Sequence, residues 1–206
     1  MLIGIDFDNT MICYDRLLHH VAQERGLIPA GVGATKTAVR DYLRAQGRER
    51  DWTRLQGEVY GARIHEAAPY PGVLDFLIRC RRQAIEVCVV SHKTRYPVLG
   101  TRVDLHAAAR DWLERQAFLQ GRRTGLSAAR VHFEVTKAGK LERIGALGCS
   151  HFIDDLPEFL AEPAFPSGVQ RILFDPAGTA VTDGTVLRAA SWDAITHQLL
   201  NVASVR

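Results

Sequence analysis

The chain has 206 residues, of which 47% are hydrophobic, and this length excludes two large domains while allowing one full hydrophobic core with a small additional unit. Its net charge of +3 at pH 7 is well below the dense positive charge of nucleic-acid-binding proteins, so we expect no nucleic-acid partner. The start of the chain lacks the basic segment of a secretory signal, and no apolar run approaches the length of a membrane span. The cysteines form no Cys-x-x-Cys pair and lie in apolar stretches, as reduced and buried thiols do, so we expect a cytoplasmic protein with no membrane partner.

The first apolar run, residues 2–7, predicts a buried strand with two carboxylates, Asp6 and Asp8, at its carboxyl end. Open α/β sheets bind ligands in the crevice beyond the carboxyl ends of their strands. Two like charges are costly to bury close together unless a cation or a proton is shared between them. A divalent metal ion would meet that need, and the alternative is an Asp-rich turn whose side chains cap the local backbone.

A long segment without a strand pattern separates this first run from the next and predicts an inserted unit. Apolar residues recur there at helical spacing in three places, around Leu17, Val39 and Trp52. We therefore expect a small, all-helical cap over residues 14–68, inserted into a core that is formed by residues 1–13 and 69–206.

Four further apolar runs, rich in Val, Ile and Phe, predict strands at residues 85–91, 131–135, 151–154 and 171–174. Segments with helical periodicity lie between them, and this alternation is typical of a parallel sheet. The C-terminal segment predicts only a loop that is closed by a terminal helix around Trp192.

Further polar side chains lie where predicted strands end, or where a helix begins before one of them: Ser91, Asp154, Asp155, Lys137 and Lys140. If the first, second and fourth strands are adjacent and parallel, these groups converge on Asp6 and Asp8. Each group alone is more simply explained as a cap or turn residue. The whole set, in one order along the chain, is harder to explain in that way.

This ordered set resembles the four motifs of the haloacid-dehalogenase-like hydrolase superfamily: Asp6-Phe7-Asp8-Asn9-Thr10, then Ser91, then Lys140 or Lys137, then Asp154-Asp155. The resemblance covers the expected core and implies a three-layered, Rossmann-like α/β sandwich. The insertion resembles the helical cap that many members carry between their first and second motifs. Such members are mostly magnesium-dependent phosphatases that act through an aspartyl-phosphate. Dehalogenating members lack an acid two residues after the nucleophile, and because Asp8 occupies that position here, the resemblance implies a phosphatase.

The resemblance also implies a role for each matched acid. Asp6 is the implied nucleophile, and Asp8 is the implied acid that protonates the leaving oxygen and then takes a proton from the hydrolytic water. Mg²⁺ would be held by Asp6, by the carbonyl of Asp8 and by Asp155, with Asp154 bound directly or through water.

The lysine of the third motif is assigned to Lys140 or to Lys137. We prefer Lys140, because the apolar pattern of the following helix places it in the first turn, facing the sheet. Together with Ser91, it would contact the phosphoryl oxygens. Glu158 either orders the outer shell of the metal or lies in the first turn of a helix, where acids suit the helix dipole.

Substrate contacts are expected from Thr10 in the first loop and from His92 and Lys93, which begin the loop after the second strand. His92 is also consistent with a residue that only caps this loop.

A row of cations on the second cap helix, formed by Lys36, Arg40 and Arg44, is either a solvated face or a substrate-binding face. We retain Arg40 and Arg44 as candidate substrate-binding residues. The segment 31–37 superficially resembles a phosphate-binding loop, but it lacks the glycine before the lysine and a preceding strand, so we interpret it as an ordinary loop and helix start.

The sequence as a whole predicts a Mg²⁺-dependent phosphomonoester hydrolase that acts on a small phosphorylated metabolite. One alternative is a phosphotransferase or phosphomutase, which uses the same phosphoenzyme but passes the phosphoryl group to an organic acceptor. The other is a non-catalytic phosphate-binding or metal-binding protein, although such a protein would not need Asp8. The sequence gives no information on the oligomeric state.

Overall fold

The computed structural model describes residues 1–180 and 184–200, and a parallel β-sheet lies at its centre. In chain order the strands of this part of the chain are β1 (Leu2–Ile5), β2 (Ile12–Cys13), β3 (Ala68–Pro69), β4 (Glu86–His92), β5 (Val131–Glu134), β6 (His151–Asp154), β7 (Gln170–Phe174) and β8 (Leu187–Ala189). Six of them form one sheet in the order β5-β4-β1-β6-β7-β8, in which each neighbouring pair is parallel. The five strands predicted for the core are confirmed, and β1 lies between β4 and β6, as the convergence of the polar residues requires.

Helices surround this sheet and form the insertion. Within the described ranges the α-helices are α1 (Asp15–Glu24), α2 (Lys36–Ala45), α3 (Glu49–Tyr60), α4 (Val73–Arg82), α5 (Leu105–Arg115), α6 (Gly121–Thr124), α7 (Lys137–Ala146), α8 (Pro157–Leu160) and α9 (Trp192–Leu200). Short 3-10 helices cover Ile64–Glu66 and Ala128–Arg130. Across these ranges, none of the helices combines the length and the apolar character that a membrane crossing requires.

The sheet is covered on both faces. Along β4, Val87 and Val89 belong to one hydrophobic cluster and Cys88 and Val90 to another, because successive side chains of a strand point to opposite faces. The first cluster includes buried apolar residues of α4, α5 and α9, and the second includes buried apolar residues of α7 and α8. The expected three-layered α/β sandwich is therefore confirmed.

The helical insertion leaves the sheet domain and returns to it through a small hairpin. β2 and β3 pair in the antiparallel direction, with Ile12 opposite Pro69, and α1, α2 and α3 lie between them in the chain. These helices bury the faces that their apolar spacing predicts, so that Val39 and Trp52 join the same hydrophobic cluster as β1. The three predicted helices are confirmed, and the division of the chain into a core and a cap at residues 14–68 stays a prediction.

The C-terminal segment contains a strand that the sequence did not predict. β8 extends the sheet beside β7, and its Ala189 lies opposite Phe174. Ala189 is the one buried residue of this three-residue strand, so no apolar alternation marks it in the sequence. The predicted terminal helix is confirmed as α9, where Trp192 is completely buried.

Candidate active site

Three carboxylates meet at the carboxyl ends of β1 and β6 and are called the acid cluster below. Asp6 directly follows β1, Asp154 ends β6, and Asp155 comes next in the chain. The backbone N–H of Asp6 donates to the carbonyl of Ile153 over 2.8 Å, which extends the pairing of the two strands as far as this edge. As a result, carboxylate oxygens of the three acids lie within 4.8 Å of one another. The chain continues from β1 toward β4 but from β6 toward β7, and open α/β sheets form ligand crevices where connections diverge in this way.

Lys140 neutralises part of the charge of the acid cluster. It lies in the first turn of α7, and its Nζ donates to Asp6 Oδ1 over 2.6 Å and to Asp154 Oδ2 over 2.5 Å. The side chain is buried, and its ammonium lies 4.1 Å from the centre of the Phe159 ring. Lys137, at the start of the same helix, is exposed. The structure thus brings Lys140, and not Lys137, to the acid cluster.

Burial and mutual repulsion raise the pKa values of two carboxylates in the acid cluster. Burial raises the pKa of Asp6 to about 6, although Lys140 acts in the opposite direction. Burial, together with the charges of Asp154 and Asp6, raises the pKa of Asp155 well above its ordinary value. Burial lowers the pKa of Lys140, but the net pKa is raised because the attraction of the two acids outweighs it. When all three acids are ionised, Lys140 neutralises one of their charges, and two negative charges remain. One divalent cation would neutralise these two charges.

The donor atoms of the acid cluster fit a hard divalent cation. All of them are carboxylate oxygens, which Mg²⁺ prefers, and no His or Cys of the described residues joins the group. Asp154 already uses both of its oxygens, one for Lys140 and one for the backbone N–H of Leu156. Within the described ranges, one carboxylate oxygen of Asp6 accepts no hydrogen bond. The carboxylate of Asp155 accepts none from a side chain among the residues that the structure describes. Asp6 and Asp155 are therefore the acids best able to bind a metal ion directly.

Asp8 lies outside the acid cluster and is held by two other side chains. Both of its oxygens accept from Lys93 Nζ over 2.9 Å, and Oδ1 also accepts from the Tyr14 hydroxyl over 2.7 Å. Lys93 is buried, and its ammonium lies 5.4 Å and 5.2 Å from the ring centres of Phe7 and Tyr60. Burial and the charge of Asp8 raise the pKa of Tyr14 well above its ordinary value, so Tyr14 donates as a neutral hydroxyl. Lys93, predicted to contact substrate, thus also fixes Asp8, and Tyr14 is a site residue that the sequence did not reveal.

Two buried hydroxyl groups in the segments that build the site have no hydrogen-bond partner within the described residues, those of Ser91 and Thr10. Ser91 lies in β4 and lines the cavity described next. Because an unpaired buried hydroxyl costs free energy, Ser91 is available to an oxygen of a ligand. Thr10 does not line the cavity, and its carbonyl accepts from Trp192 Nε1 over 3.0 Å. The carbonyl thus attaches the first loop to α9, and the binding of substrate by Thr10 stays a prediction.

A cavity of about 360 Å³ lies over Asp6 and Asp155, between the edge of the sheet and the helical insertion. The insertion contributes five residues to its walls: Lys36, Thr53, Gln56, Gly57 and Tyr60. His92 lines the cavity from the side of β4, and partial burial of its ring lowers its pKa. Glu158 does not line it and lies exposed in the first turn of α8. The helical insertion therefore forms one wall of the cavity over Asp6 and Asp155.

The two arginines predicted to bind substrate lie away from this cavity. Arg40 pairs with its neighbour Asp41 over 2.8 Å, and Arg44 forms hydrogen bonds of 2.7 Å and 3.0 Å with Glu49. Neither side chain lines the cavity. Both charges are paired with acids outside the cavity, and the binding of substrate by Arg40 and Arg44 stays a prediction.

Lys36, one turn earlier at the start of α2, brings a positive charge from the insertion to the cavity. Its backbone N–H donates to Asp15 Oδ1 over 2.7 Å, which anchors this end of the helix. Burial lowers the pKa of Lys36, but the net pKa is raised because Tyr60, Asp155 and Asp8 act in the opposite direction. The spacing of the three cations along α2 was visible in the sequence, but it could not tell which of them faces the cavity.

Comparison with known proteins identifies the fold. No protein-family model and no curated protein matches the chain. Among solved structures, a dehalogenase has a TM-score of 0.60 at 12% identity, over 96% of each chain. A HAD phosphatase from Thermococcus onnurineus has a TM-score of 0.53 at 13% identity, over 96% of this chain and 97% of that one. The putative HAD hydrolase YfnB from Bacillus subtilis, whose structure is bound to magnesium, has a TM-score of 0.50 at 14% identity, over 97% and 98%. The chain therefore has the haloacid-dehalogenase-like fold, as its motifs predict.

Proposed function

We propose that the protein is a Mg²⁺-dependent phosphomonoester hydrolase with Asp6 as its nucleophile. The observation that carries this proposal is the acid cluster, in which two buried carboxylates, a half-buried one and one paired lysine lie together, with Asp6, Asp155 and Lys140 at the base of a cavity. This arrangement suits a divalent cation and a phosphate group better than it suits a neutral ligand. The likeness to solved structures of a HAD phosphatase and of a magnesium-bound HAD hydrolase supports the same class.

The residues that would hold Mg²⁺ are Asp6, Asp155 and the backbone carbonyl of Asp8. Asp154 would act from behind them, since it already orients Lys140 over 2.5 Å, or would bind through water. A bound Mg²⁺ supplies positive charge against the phosphoryl oxygens, which allows a dianionic ester to approach a carboxylate.

The first chemical step is an attack of the Asp6 carboxylate on phosphorus. The new bond between Asp6 and phosphorus forms while the bond from phosphorus to the leaving oxygen breaks. Lys140, which is held against Asp6 over 2.6 Å, and the unpaired hydroxyl of Ser91 would bind phosphoryl oxygens as their charge shifts. Lys36 would add a further cation from the insertion side of the cavity.

Asp8 is the proposed acid and base of the reaction. As a carboxylic acid it gives its proton to the leaving oxygen. As a carboxylate it then takes a proton from the water that attacks the phosphorus of the phospho-aspartate, while the bond between the Asp6 oxygen and phosphorus breaks and frees inorganic phosphate and the Asp6 carboxylate. Lys93 and the Tyr14 hydroxyl, both within 2.9 Å of Asp8, stabilise the carboxylate that remains between the two steps. An acid at this position also favours a phosphatase over a dehalogenase, because halide departure needs no proton.

The proposed substrate is a small phosphorylated molecule, because the cavity beneath the helical insertion has a volume of about 360 Å³, which is the size of a small-molecule site. Transfer of the phosphoryl group to an organic acceptor would use the same residues. The release of free phosphate with each turnover separates hydrolysis from such a transfer.

The test is hydrolysis of a generic aryl phosphate, followed by a panel of phosphorylated metabolites, with and without Mg²⁺. We expect free phosphate to accumulate only when Mg²⁺ is present. The variant Asp6→Asn should lose at least about a thousandfold in kcat, since the nucleophile is removed while the fold is retained. Asp41→Asn, an exposed acid on α2, is the matched control and should keep full activity. Turnover by Asp6→Asn at the rate of the unmodified protein would refute the assignment.

A further inference from the structure

A glycine in the interior of α3 lies in unusually close contact with the loop that precedes α5. A Cβ atom at Gly57 would lie 2.5 Å from the carbonyl oxygen of Leu99 and 2.9 Å from Cβ of Pro97. Both distances are far below van der Waals contact, and the first is to a backbone atom that no side-chain rotation can move. Glycine weakens a helix interior by about 1 kcal/mol relative to alanine, so this position needs another explanation than helix stability.

A second glycine continues the same face of the insertion. A Cβ atom at Gly61 would lie 2.9 Å from the carbonyl oxygen of Gly57, 3.1 Å from Cδ2 of Leu105 and 3.4 Å from Cβ of Val103. Gly61 directly follows α3, where its backbone has a φ of −112° and a ψ of −98°. Gly57 and Gly61 together form a groove, called the glycine seat, which receives the loop of residues 95–104.

The loop of residues 95–104 is held together by contacts between its own residues. Its two ends are joined because the backbone N–H of Leu105 donates to the carbonyl of Arg95 over 2.8 Å. The side chain of Arg95 also donates to Asp104 over 3.0 Å, and the Arg102 guanidinium lies 4.1 Å from the centre of the Tyr96 ring. These contacts hold the two ends of the loop together, while Pro97, Leu99 and Val103 lie against the seat.

The contact at Gly57 forms part of the wall of the catalytic cavity. Pro97 and Val98 line that cavity together with Gly57, and Val98 is 77% exposed at its mouth. Gly57 also lines a second cavity of about 300 Å³, whose other walls include Arg54 and Thr101. The loop resting on Gly57 therefore separates the two cavities.

We propose that Gly57 is a specificity-determining residue, which seats the loop of residues 95–104 so that the catalytic cavity accepts only small leaving groups. This inference rests on the proposed binding of a phosphoryl group by the acid cluster. A side chain at position 57 would force the backbone at Leu99 away from α3. The wall between the two cavities would then open and admit a larger group beside the phosphoryl site.

The test measures binding rather than turnover, with two probes that cannot be hydrolysed. Phenylphosphonate and 4-biphenylylphosphonate carry the same anionic group on a small and a long rigid body, and calorimetry in the presence of Mg²⁺ gives the Kd of each. The unmodified protein should bind the biphenylyl probe at least about tenfold more weakly, which corresponds to about 1.4 kcal/mol. In Gly57→Ala this penalty should fall by about tenfold.

Gly145→Ala is the matched control. Gly145 also lies inside a helix, α7, but a Cβ atom there would meet nothing closer than Pro166 at 3.5 Å, which is an ordinary contact. This variant should keep the tenfold penalty of the unmodified protein. Val98→Ala trims the exposed mouth without touching the seat and should lower the penalty by about threefold, so it tests the wall even if Gly57→Ala fails to fold.

Each outcome decides the inference. Equal affinity of the unmodified protein for the two probes, or an unchanged ratio in both Gly57→Ala and Val98→Ala, would overturn it. If neither probe binds, both the phosphoryl site and its size limit are wrong. If the probes bind with the expected ratios but no phosphate ester is hydrolysed, the proposed hydrolase is contradicted, whereas the role of Gly57 in size selection stands.

Discussion

Lys140 shares one ammonium group between two buried carboxylates, so its loss differs from the loss of a surface ion pair. Lys140→Met leaves Asp6 and Asp154 buried without their cation, and we expect the free energy of unfolding to fall by about 3–5 kcal/mol. Thermal unfolding of the metal-free protein measures this effect. Lys137→Met, in the same helix but exposed, should leave the Tm unchanged. Equal Tm values for the two variants would contradict the structural importance of Lys140.

Lys36 is the residue through which the insertion adds charge to the cavity. Its ammonium forms no ion pair with an acid among the described residues, so an incoming anion does not have to displace a carboxylate from it. Lys36→Met should therefore weaken the binding of inorganic phosphate, measured by calorimetry with Mg²⁺, by about tenfold. Arg40→Met, one turn further along α2, should have no effect, because Arg40 is paired with Asp41 outside the cavity. Weaker phosphate binding by Arg40→Met, with unchanged binding by Lys36→Met, would show that Arg40 and not Lys36 binds the anion.

Single residues could be placed from the sequence where local periodicity decides their direction. The apolar spacing of Leu141 and Ile144 turns Lys140 toward the sheet, and the structure has it there. Apolar spacing could not distinguish the three cations of α2, because all three lie on one face of the helix. Only Lys36, at the N-terminal end of α2, reaches the cavity. The contact of Tyr14 with Asp8 could not be predicted from the sequence, because it depends on the path of the first loop and not on a spacing of residues.

At the scale of single elements, the start of α5 illustrates how a helix end also fixes a loop. Asp104 Oδ1 accepts from the backbone N–H groups of His106 and Ala107 over 3.0 Å each, and Oδ2 accepts from Arg95. Asp104→Ala removes this cap, and we expect the free energy of unfolding to fall by about 1 kcal/mol. Thermal unfolding provides the measurement. Asp111→Ala, an exposed position inside the same helix, should change the Tm much less, and an equal loss in the two variants would argue against a capping role.

A strand or helix could be predicted from the sequence where it buries enough apolar residues to show the spacing of its secondary structure. The core strands each carry a buried run, and the three helices of the insertion each carry an apolar stripe. β8 has one buried residue and takes its conformation from pairing with β7, a neighbour that lies outside any local window. Strand structure of this kind depends on tertiary contact, so sequence periodicity cannot predict it.

For the molecule as a whole, the unbalanced charge of the acid cluster couples stability to metal binding. Mg²⁺ at one hundred times its Kd should stabilise the folded protein by about 2.7 kcal/mol, seen as a higher Tm. Asp155→Asn should abolish this response and, because it removes one of the repelling charges, should raise the Tm of the metal-free protein. Asp193→Asn, an exposed acid in the first turn of α9, is the control and should keep the response. A Tm that rises equally with Mg²⁺ in Asp155→Asn would contradict the metal site.

The cavity wall that the insertion contributes is the part of the molecule that the sequence did not predict. The motif residues follow their strands, so a parallel sheet alone brings them together. The residues that face them from the insertion depend on how α2 and α3 pack over the sheet, and on a contact such as that of Gly57 with Leu99. The acid cluster was therefore foreseen, whereas the surroundings of the substrate were not.

The pairing of β2 with β3 brings the two ends of the helical insertion side by side, one strand spacing of about 4.8 Å apart. A segment that starts and finishes at neighbouring points can be exchanged for another of different length without changing the order of the sheet. The proposed catalytic groups at the ends of β1 and β6 and on α7 lie outside this segment, whereas Tyr14, Lys36 and Gly57 lie inside it. Recombination at this hairpin, in nature or in the laboratory, would therefore replace the helical wall of the cavity while leaving the acid cluster and Lys140 in place.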